Sequence, residues 1–393
     1  MDTKLVTATA TGSAASAAEA LVTALRRDLK GAEPALVMVF ASTAQPLGDV
    51  ASVLTAAFES AQVLGASTAG EFTERGDTKG AVCAVAISGD FQVRAGMGSG
   101  VRANPERAVA QALEGLPRAM PGYPYRTGIL LIDTMAGNCE EVTLIAAAEL
   151  GADQPLAGGG AGDDLAMVST LVSSGARAGS DAVVIAQIFS KAPLGLGVCH
   201  GHSPLSEPLR ITRAHGNVVE EIEGRPAWDV WRERTREAAK AQGIDVDALA
   251  AADEGKFLLR FEAGLSAGDA YKIRAPLSRT AAGAISFACG IPEGAVIRIT
   301  ESTPKHQIDS AREAARRAKL KLDGRSAAGA IVFDCICRNL ILGDEFGGAV
   351  RGMVDELGGV PIAGFETYGE IALDAGDMSG FHNTTSVVLA FPR

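Results

Sequence analysis

A seven-residue pattern, G-x-x-T-x-G-E, occurs twice in the chain and limits its fold more than any other feature. Residues 65–71 read Gly-Ala-Ser-Thr-Ala-Gly-Glu, and residues 364–370 read Gly-Phe-Glu-Thr-Tyr-Gly-Glu. Each copy follows an apolar strand-like run and a helical segment. A weaker third copy, LAGGGAGDD at 156–164, has Gly162-Asp163 in the place of Gly-Glu. Because the spacing is irregular, the pattern excludes a solenoid and predicts one supersecondary unit used two or three times.

The residue types of this repeat suit a turn that binds a ligand. Glycine permits positive φ and close approach to the backbone, threonine can bond local backbone or a ligand, and the acid lies beside backbone N–H groups at a strand end. Such a set matches the ammonium and carboxylate of an amino acid. The alternative is a tight turn needed by the fold, with the acids in buried ion pairs. The candidate ligand-binding residues in the three copies are Ser67, Thr68, Gly70, Glu71, Gly160, Asp163, Asp164, Phe365, Thr367, Tyr368 and Glu370.

Apolar runs alternate with helical segments along the whole chain. Strands are predicted at 35–42, 80–88, 126–134, 180–190, 284–290, 295–302, 329–336 and 386–391, helices at 47–61, 139–150, 224–243 and 310–322, and a hairpin at 209–222. Hydrophobic residues make up 47% of the chain but aromatic residues only 5%, which favours small side chains packed between sheets and covering helices. We predict an α/β chain of two related domains, 1–222 and 223–393, each a β-sheet flanked by helices.

Charge and hydropathy exclude several classes of partner. The net charge is −11, so nucleic acid is a poor partner; the basic stretch 312–321 reads as the solvated face of a helix. No secretory signal and no apolar run of about 18 residues is present. The six cysteines are scattered, mostly in apolar runs, and Cys335 and Cys337 are predicted to share one face of a strand. We expect a reduced, cytoplasmic protein without membrane insertion.

The order of the motifs resembles that of the FIST family, with an N-terminal FIST domain followed by a FIST C-terminal domain. The resemblance runs from about Pro34 to Ala390. It rests on LGASTAGEF (64–72), PLAGGGAGDD (155–164), HGHSP (200–204), ITRAHGNVVEEIEGRPAWDVW (211–231), YKIRAPL (271–277), IPEGAVIRI (291–299), IVFDCICRNLILG (331–343), VPIAGFETYGEI (360–371) and FHNTT (381–385).

The resemblance implies a bacterial sensory module for small ligands, with amino acids as the usual suggested ligand. Such proteins are often coupled to histidine kinases, cyclic-dinucleotide enzymes or chemoreceptors, and some stand-alone members are haem-binding nitric-oxide sensors that regulate a kinase. This chain resembles the stand-alone kind, so we expect a separate signalling protein, such as a histidine kinase, to receive its output. The sequence does not predict an oligomeric state.

Further candidates lie outside the repeats. Asp133 ends a predicted strand, where open α/β sheets usually bind ligands, although it could equally cap a helix. Arg274 and Arg338 could neutralise a ligand carboxylate or form surface ion pairs, and Asn383 could contact ligand or satisfy loop backbone. If haem is bound, its axial ligand is expected among His200, His202 and His382, since His200 and His202 alternate along a predicted strand.

Three functions are therefore compared. The first is a non-catalytic sensor of an amino acid or similar polar metabolite, and the second is a haem-binding nitric-oxide sensor. The third is an enzyme that uses paired carboxylates for acid–base chemistry. The sequence contains no Walker loop, dinucleotide fingerprint, zincin motif or GxSxG, which favours a sensor over an enzyme.

Overall fold

A computed structural model of the chain describes residues 2–151, 153–267, 270–374 and 380–393. The chain begins with a unit in which helices alternate with strands and a short hairpin precedes the last strand. This first unit comprises β1 (Lys4–Ala10), α1 (Ala14–Leu29), β2 (Pro34–Ala41), α2 (Leu47–Ala57), β3 (Gln62–Ser67), β4 (Glu71–Thr73), β5 (Gly76–Thr78) and β6 (Val82–Ser88). Helix α1 begins after Ser13, whose hydroxyl accepts from the Ser16 N–H and caps an otherwise unpaired donor.

The second unit repeats this order of elements. It comprises β7 (Phe91–Ser99), α3 (Pro105–Leu113), β8 (Tyr125–Ile132), α4 (Cys139–Leu150), β9 (Leu156–Gly160), β10 (Val172–Ser174), β11 (Arg177–Gly179) and β12 (Ala182–Ser190). Asn104 caps α3 by accepting from the Arg107 N–H, and Pro105 occupies the first helical position, where its missing N–H costs nothing.

The third unit begins with β13 (Gly195–His200) and is interrupted by an inserted segment, residues 203–302. That segment comprises β14 (Ser203–Pro204), β15 (Leu209–His215), β16 (Val218–Ile222), β17 (Arg225–Pro226), α5 (Ala227–Ala241), α6 (Glu254–Arg260), β18 (Ala263–Ala267), β19 (Ala270–Arg274), β20 (Pro276–Arg279), β21 (Ile285–Phe287) and β22 (Val296–Glu301). Because Ser203 pairs with Glu301, the inserted segment leaves and rejoins the third unit at neighbouring points.

The third unit then continues to the end of the chain. It comprises α7 (Pro304–Leu320), β23 (Ala327–Cys335), α8 (Ile336–Leu342), α9 (Phe346–Leu357), β24 (Ile362–Thr367), β25 (Glu370–Leu373), β26 (Gly380–His382) and β27 (Thr385–Pro392). Short 3₁₀ turns lie at Thr134–Ala136, Ala251–Asp253 and Gly343–Glu345.

In the part of the chain that the structure describes, the strands form three six-stranded sheets and one nine-stranded sheet. The six-stranded sheets share one strand order. In the first sheet it is β1-β6-β2-β3, all from the first unit, followed by the hairpin β10–β11 from the second unit, and the other two sheets repeat this order with their own strands. The hairpin β10–β11 joins β3, β25–β26 joins β9, and β4–β5 joins β24. Each unit therefore supplies its hairpin to a different unit, in a closed cycle.

The three six-stranded sheets face one another across a common apolar core. Phe40 of the first unit stacks on Phe365 of the third at a centroid distance of 4.8 Å, and Phe333 meets Phe365 edge-on at 5.8 Å. Such ring pairs add about 0.5–1.5 kcal/mol beyond the area they bury. Helices cover the outer face of each sheet: α1 and α2 on the first, α3 and α4 on the second, and α7 and α9 on the third.

The inserted segment has a core of its own. Trp228 and Trp231 of α5 are buried against the nine-stranded sheet, with Phe257, Phe261 and Phe287 among their neighbours. The Trp231 indole N–H donates to the carbonyl of Phe261 at 3.1 Å, which satisfies the one polar atom of that side chain.

The predicted α/β class, with sheets flanked by helices, is confirmed, and the repeated unit is present in three copies. The predicted boundary between residues 222 and 223 stays a prediction; β16 ends at Ile222 and pairs across that point with β17 and β21. Among the described residues, no helix combines the length and hydropathy that crossing a bilayer requires.

Candidate functional site

The three repeat turns, far apart in sequence, meet at the carboxyl ends of β3, β9 and β24. We call them the first turn (67–71), the second turn (160–164) and the third turn (367–370). The N–H of Gly162 donates to Ser67 O at 2.9 Å, that of Ala69 to Glu366 O at 3.1 Å, and that of Tyr368 to Gly160 O at 3.0 Å. Each of these backbone hydrogen bonds joins two different units, so the three turns are linked to one another in a closed set.

Glu71 of the first turn is fully buried. The Thr68 hydroxyl donates to its Oε1, whereas its Oε2 has no hydrogen-bond partner among the described residues. Burial raises the pKa of Glu71 to about 8, against the opposing effect of the Thr68 hydrogen bond. The threonine and the acid of the repeat therefore act together, as a hydroxyl that orients a carboxyl group.

Glu370 of the third turn repeats this arrangement. The Thr367 hydroxyl donates to its Oε1, and the Thr385 N–H donates to its Oε2 at 3.1 Å. Burial raises the pKa of Glu370 well above the usual range. Two copies of the sequence pattern thus produce the same local geometry, and their acids contact hydroxyls and amides rather than arginine or lysine.

The second turn departs from the other two. Asp163 accepts from the N–H groups of Met167, Val168 and Ser169 at 2.9, 2.6 and 2.9 Å, and from the Tyr368 hydroxyl at 2.6 Å. Burial alone would raise its pKa, but these donors, led by Tyr368, lower it. Asp163 therefore holds the loop that follows it.

Asp164 and Ser67 also serve contacts between units. The exposed Asp164 accepts from the Thr43 N–H at 2.8 Å and from the hydroxyl of Ser42 at 3.0 Å. Ser67 donates to Gly162 O at 2.7 Å and accepts from the Leu171 N–H at 2.8 Å. A Cβ at Gly160 would lie 2.2 Å from the Thr134 hydroxyl, so a larger residue there would require that hydroxyl to move.

Glu366, which sequence reasoning missed, lies beside Gly70 of the first turn. It lies at the end of β24 and is 1% exposed. Its Oε1 accepts from Asn339 Nδ2 at 2.5 Å, but its Oε2 has no partner among the described residues. A Cβ at Gly70 would lie 2.6 Å from that Oε2, so the glycine of the first turn makes room for the carboxyl group. Burial raises the pKa of Glu366 to about 8.

The inserted segment contributes a second missed acid, Glu262. The Thr384 hydroxyl donates to its Oε1 at 2.8 Å, and His202 Nε2 lies 3.6 Å from its Oε2. Burial raises the pKa of Glu262 well above the usual range, with the charge of Glu370 adding to the effect. Burial likewise lowers the pKa of His202, so burial favours the neutral form of both groups.

A small apolar cluster joins the inserted segment to the turns. Several of its members keep 6–8% of their surface exposed, unlike the fully enclosed side chains of the central core. Tyr368 packs against the cluster, and its hydroxyl accepts from the Leu165 N–H at 2.8 Å. The members are Ala69, Leu259, Ala275, Cys335, Ile336, Cys337 and Ile341. The turns are thus covered by apolar side chains that reach solvent on one side.

The predicted site residues outside the turns have internal partners. Asp133 accepts from Met135 N–H at 3.0 Å and from Thr170 and Asp181, which favours the capping alternative. Asn383 accepts from the Ala275 N–H at 3.3 Å, in agreement with a loop role. Phe365 lies in the central core, where its ring packs between Phe40 and Phe333.

The two predicted arginines are buried rather than on the surface. Arg338 is fully enclosed and donates to Asp334 at 2.8 Å, to Gln307 at 2.5 and 2.9 Å, and to Ser310 at 2.8 Å. Arg274 is 3% exposed and donates to Glu140 at 2.5 Å and to Phe381 O at 3.1 Å. The alternative of surface ion pairs is wrong for both, because each guanidinium ties together different parts of the fold.

The three candidate haem ligands face protein atoms. His200 Nδ1 accepts from the His202 N–H at 3.2 Å, His202 Nδ1 lies 3.2 Å from the Thr300 hydroxyl, and His382 Nε2 lies 3.5 Å from Ala372 O. His202 lies beyond β13, so the two histidines do not alternate along one strand. His202 Nε2 and His382 Nδ1 have no hydrogen-bond partner among the described residues. Among the described residues, no group of three or more His, Cys, Asp or Glu side chains could hold a metal ion.

Comparison with known proteins places the chain beside one family. The model of the FIST N domain matches residues 35–225, and that of the FIST C domain matches residues 227–373. The chain is 29% identical over 205 residues to an uncharacterised protein of Mycobacterium tuberculosis, covering 49% of this chain and 50% of that protein. It is 28% identical over 247 residues to one of Mycobacterium bovis, covering 58% of this chain and 60% of that protein. The chain thus spans 50–60% of the length of these relatives.

Proposed function

Since this chain belongs to the FIST family, whose domains are associated with sensing in signal transduction, we propose that it is a non-catalytic sensor of a small polar metabolite. The proposed ligand is an amino acid or another molecule with a cationic group, bound where the three turns meet. A separate cytoplasmic signalling protein, such as a histidine kinase, would receive the output.

The supporting observation is the pair of unsatisfied carboxyl oxygens, Glu71 Oε2 and Glu366 Oε2, on neighbouring turns. Both are buried and have no hydrogen-bond partner among the described residues. A buried acceptor without a partner costs about 1–3 kcal/mol. A ligand ammonium group that reached both atoms would satisfy them and favour the ionised form of the carboxyl groups, so binding would release part of that cost.

Signalling follows from where the turns lie. The apolar cluster holds the inserted segment over the turns, with Leu259 and Ala275 on one side and Ala69 and Tyr368 on the other. A ligand that separates or draws together these two sides would change the population of two arrangements of the inserted segment. The partner would distinguish those arrangements.

A thermal-shift screen of amino acids and amines tests this proposal. We expect one class of ligand to raise the melting temperature of the wild-type protein, because binding to the native state stabilises it. Glu71→Gln and Glu366→Gln should lose most of that shift, whereas Glu59→Gln, which changes an exposed carboxylate, should keep it. If both variants respond to every ligand as the wild type does, the turns are not the binding site.

The same preparations distinguish the haem alternative. Protein produced with iron and a haem precursor should stay colourless if the ligand is a metabolite. A Soret band that shifts with nitric oxide would replace the metabolite proposal with the haem sensor.

A further inference from the structure

Two adjoining cavities lie at the other edge of the second unit's sheet, at the amino ends of β8 and β9. Their volumes are about 410 and 470 Å³, and both border Arg118 and Arg126. We call them together the arginine–glutamine pocket, because Gln187 lines the first cavity and Gln154 the second. The three turns lie at the carboxyl ends of the strands, so this pocket is separate from the site proposed above.

Gln187 is the polar exception in the apolar strand β12, AVVIAQIFS. It lies on the helix-covered face, which it shares with Val183 and Ile185 of the apolar cluster under α3 and α4. Its side chain is 2% exposed, and its Oε1 has no partner among the described residues. The pattern of the strand alone would place an aliphatic side chain here.

Gln154 brings a second unsatisfied amide to the same face. It is 6% exposed, and neither its Oε1 nor its Nε2 has a partner in the described part of the chain. Gly128 of β8 pairs directly with Gln187, and a Cβ at Gly128 would lie 3.2 Å from Gln154 Nε2. The amides of Gln187 and Gln154 therefore lie on either side of Gly128, which has no side chain.

Burying these amides without partners opposes folding. Each unsatisfied group costs about 1–3 kcal/mol, and a leucine at position 187 would extend the apolar cluster instead. Both amides point into cavities large enough for a small molecule, since such sites occupy roughly 300–1,000 Å³. A ligand that forms the missing hydrogen bonds would explain why glutamine, rather than an apolar residue, occupies both positions.

The two cavities are lined by three arginines and by three acids, Glu114, Glu149 and Asp153, and Arg118 lies 3.7 Å from Glu149. Arg107, Arg118 and Arg126 line the first cavity together with Glu114 and Glu149. Arg126 is held in place, because it donates to Arg118 O at 2.7 Å and to Leu150 O at 2.9 Å. A guanidinium fixed in this way is suited to bind a carboxylate in one orientation.

We propose that the arginine–glutamine pocket binds a small organic carboxylate that also carries a hydroxyl or amide group. Arg118 and Arg126 bind the carboxylate. The hydroxyl or amide group donates to Gln187 Oε1 or Gln154 Oε1, and an oxygen of the ligand accepts from Gln154 Nε2. The ligand therefore needs its carboxylate and its hydrogen-bond donor on the same face of the molecule.

Titration calorimetry of the full chain tests this proposal with L-malate, citrate and N-acetyl-L-aspartate. Succinate, which is malate without its hydroxyl, and sulfate are the comparison compounds. We expect saturable binding of at least one of the first three, and about tenfold or weaker binding of succinate and sulfate. Gln187→Leu and Arg126→Met should each weaken binding about tenfold or more, which corresponds to the loss of one good hydrogen bond.

Two controls separate binding from folding. Gln187→Leu should melt at or above the wild-type temperature, because it removes an unsatisfied buried amide, and Arg27→Met changes an exposed arginine of the first unit and should bind as the wild type does. Glu71→Gln should also bind normally, which keeps this test independent of the sensor proposal. The inference is overturned if none of the three carboxylates binds, if sulfate binds as tightly, or if Gln187→Leu binds as tightly as the wild type.

Discussion

Glu71 and Asp163 occupy equivalent positions in the repeat, yet their pKa values shift in opposite directions. Glu71 receives one side-chain hydrogen bond, from Thr68, and its pKa rises to about 8. Asp163 receives three backbone N–H bonds and one from Tyr368, and its pKa falls. Burial disfavours the carboxylate in both cases, but its effect is stronger at Glu71, and at Asp163 the hydrogen-bond donors outweigh it. One repeat position therefore holds a proton in one unit and a charge in another.

The raised pKa values of Glu71 and Glu366 predict how stability changes with pH. Both rise from 4.5 to about 8 on folding, so the folded protein binds more protons than the unfolded chain between these values. This contribution to the free energy of unfolding is fully present below about pH 4.5 and is lost as the pH rises through about 8. In Glu71→Gln and Glu366→Gln, the free energy of unfolding should therefore fall less steeply as the pH rises.

Urea denaturation between pH 5 and 9 measures that effect. Relative to the wild type, each variant should gain stability with rising pH, by an amount on the order of a few kcal/mol across the range. Glu149→Gln, at an exposed position, should give a curve parallel to that of the wild type. Parallel curves for all three variants would show that Glu71 and Glu366 are ionised in the folded protein at neutral pH.

The loop after the second turn is held in a strained conformation. Asp164, Leu165 and Met167 have φ values of 53°, 65° and 55°, a region that costs a residue with a side chain of order 1–3 kcal/mol. Leu165, Met167 and Val168 nevertheless expose 46%, 49% and 78% of their surface, so packing does not offset the strain. Hydrogen bonds to the Asp163 carboxylate, together with that from the Leu165 N–H to the Tyr368 hydroxyl, hold this element.

Asp163→Asn should therefore release the loop. The amide has one acceptor oxygen and no charge, so several of the four donors lose their partner, and we expect a loss of about 2–4 kcal/mol in the free energy of unfolding. Limited proteolysis should show faster cleavage near Val168, and urea denaturation should show the lower stability. The surface variant Asp309→Asn should change stability by less than about 1 kcal/mol. Unchanged cleavage in Asp163→Asn would mean that the loop is fixed by other contacts.

The three units are interlocked, so they are not separate folding domains. Strand β4 of the first unit pairs with β24 of the third, and β25 of the third pairs with β9 of the second. In contrast, the inserted segment has its own core and returns to its starting point. A division around residues 203–302 is therefore an alternative to the predicted boundary between residues 222 and 223, which stays a prediction.

Two truncated proteins test that division. A fragment of residues 1–222 lacks β24, β25 and β27, which pair with β4, β9 and β13, so we expect it to lack a cooperative thermal transition. A chain in which a short glycine-serine linker replaces residues 203–302 should keep its far-ultraviolet dichroism and melt cooperatively, at a lower temperature because the apolar cluster over the turns is uncovered. Cooperative melting of the fragment together with loss of structure in the excised chain would contradict this division.

The sequence predicted the local elements better than the way in which they combine. The predicted helix 139–150 is observed at those residues, and the predicted strand 180–190 begins two residues later, because their apolar patterns depend on near neighbours. The helix predicted from residue 310 begins at Pro304, after a Thr303 cap that was visible in the sequence. Cys337 lies in α8, so the predicted shared strand face with Cys335 is wrong, since the strand stops at Cys335.

The repeat predicted acids in turns, and the structure places those turns together. Its weak third copy differs because Asp163 anchors a loop that the pattern does not encode. Glu366 was missed although a glutamate in the apolar run IAGFET is a visible signal. Glu262 lies in the inserted segment, and its proximity to Glu370 depends on long-range packing that no local pattern reports.

The exchange of hairpins has a consequence for synthesis on the ribosome. The edge of β24 that receives β4 is made about 290 residues after β4 itself. At translation rates of about 5–20 residues per second, the first hairpin waits roughly 15–60 s for its partner strand. During that interval the nascent chain carries an unpaired hairpin and an open sheet edge, the kind of surface that chaperones shield in the cell.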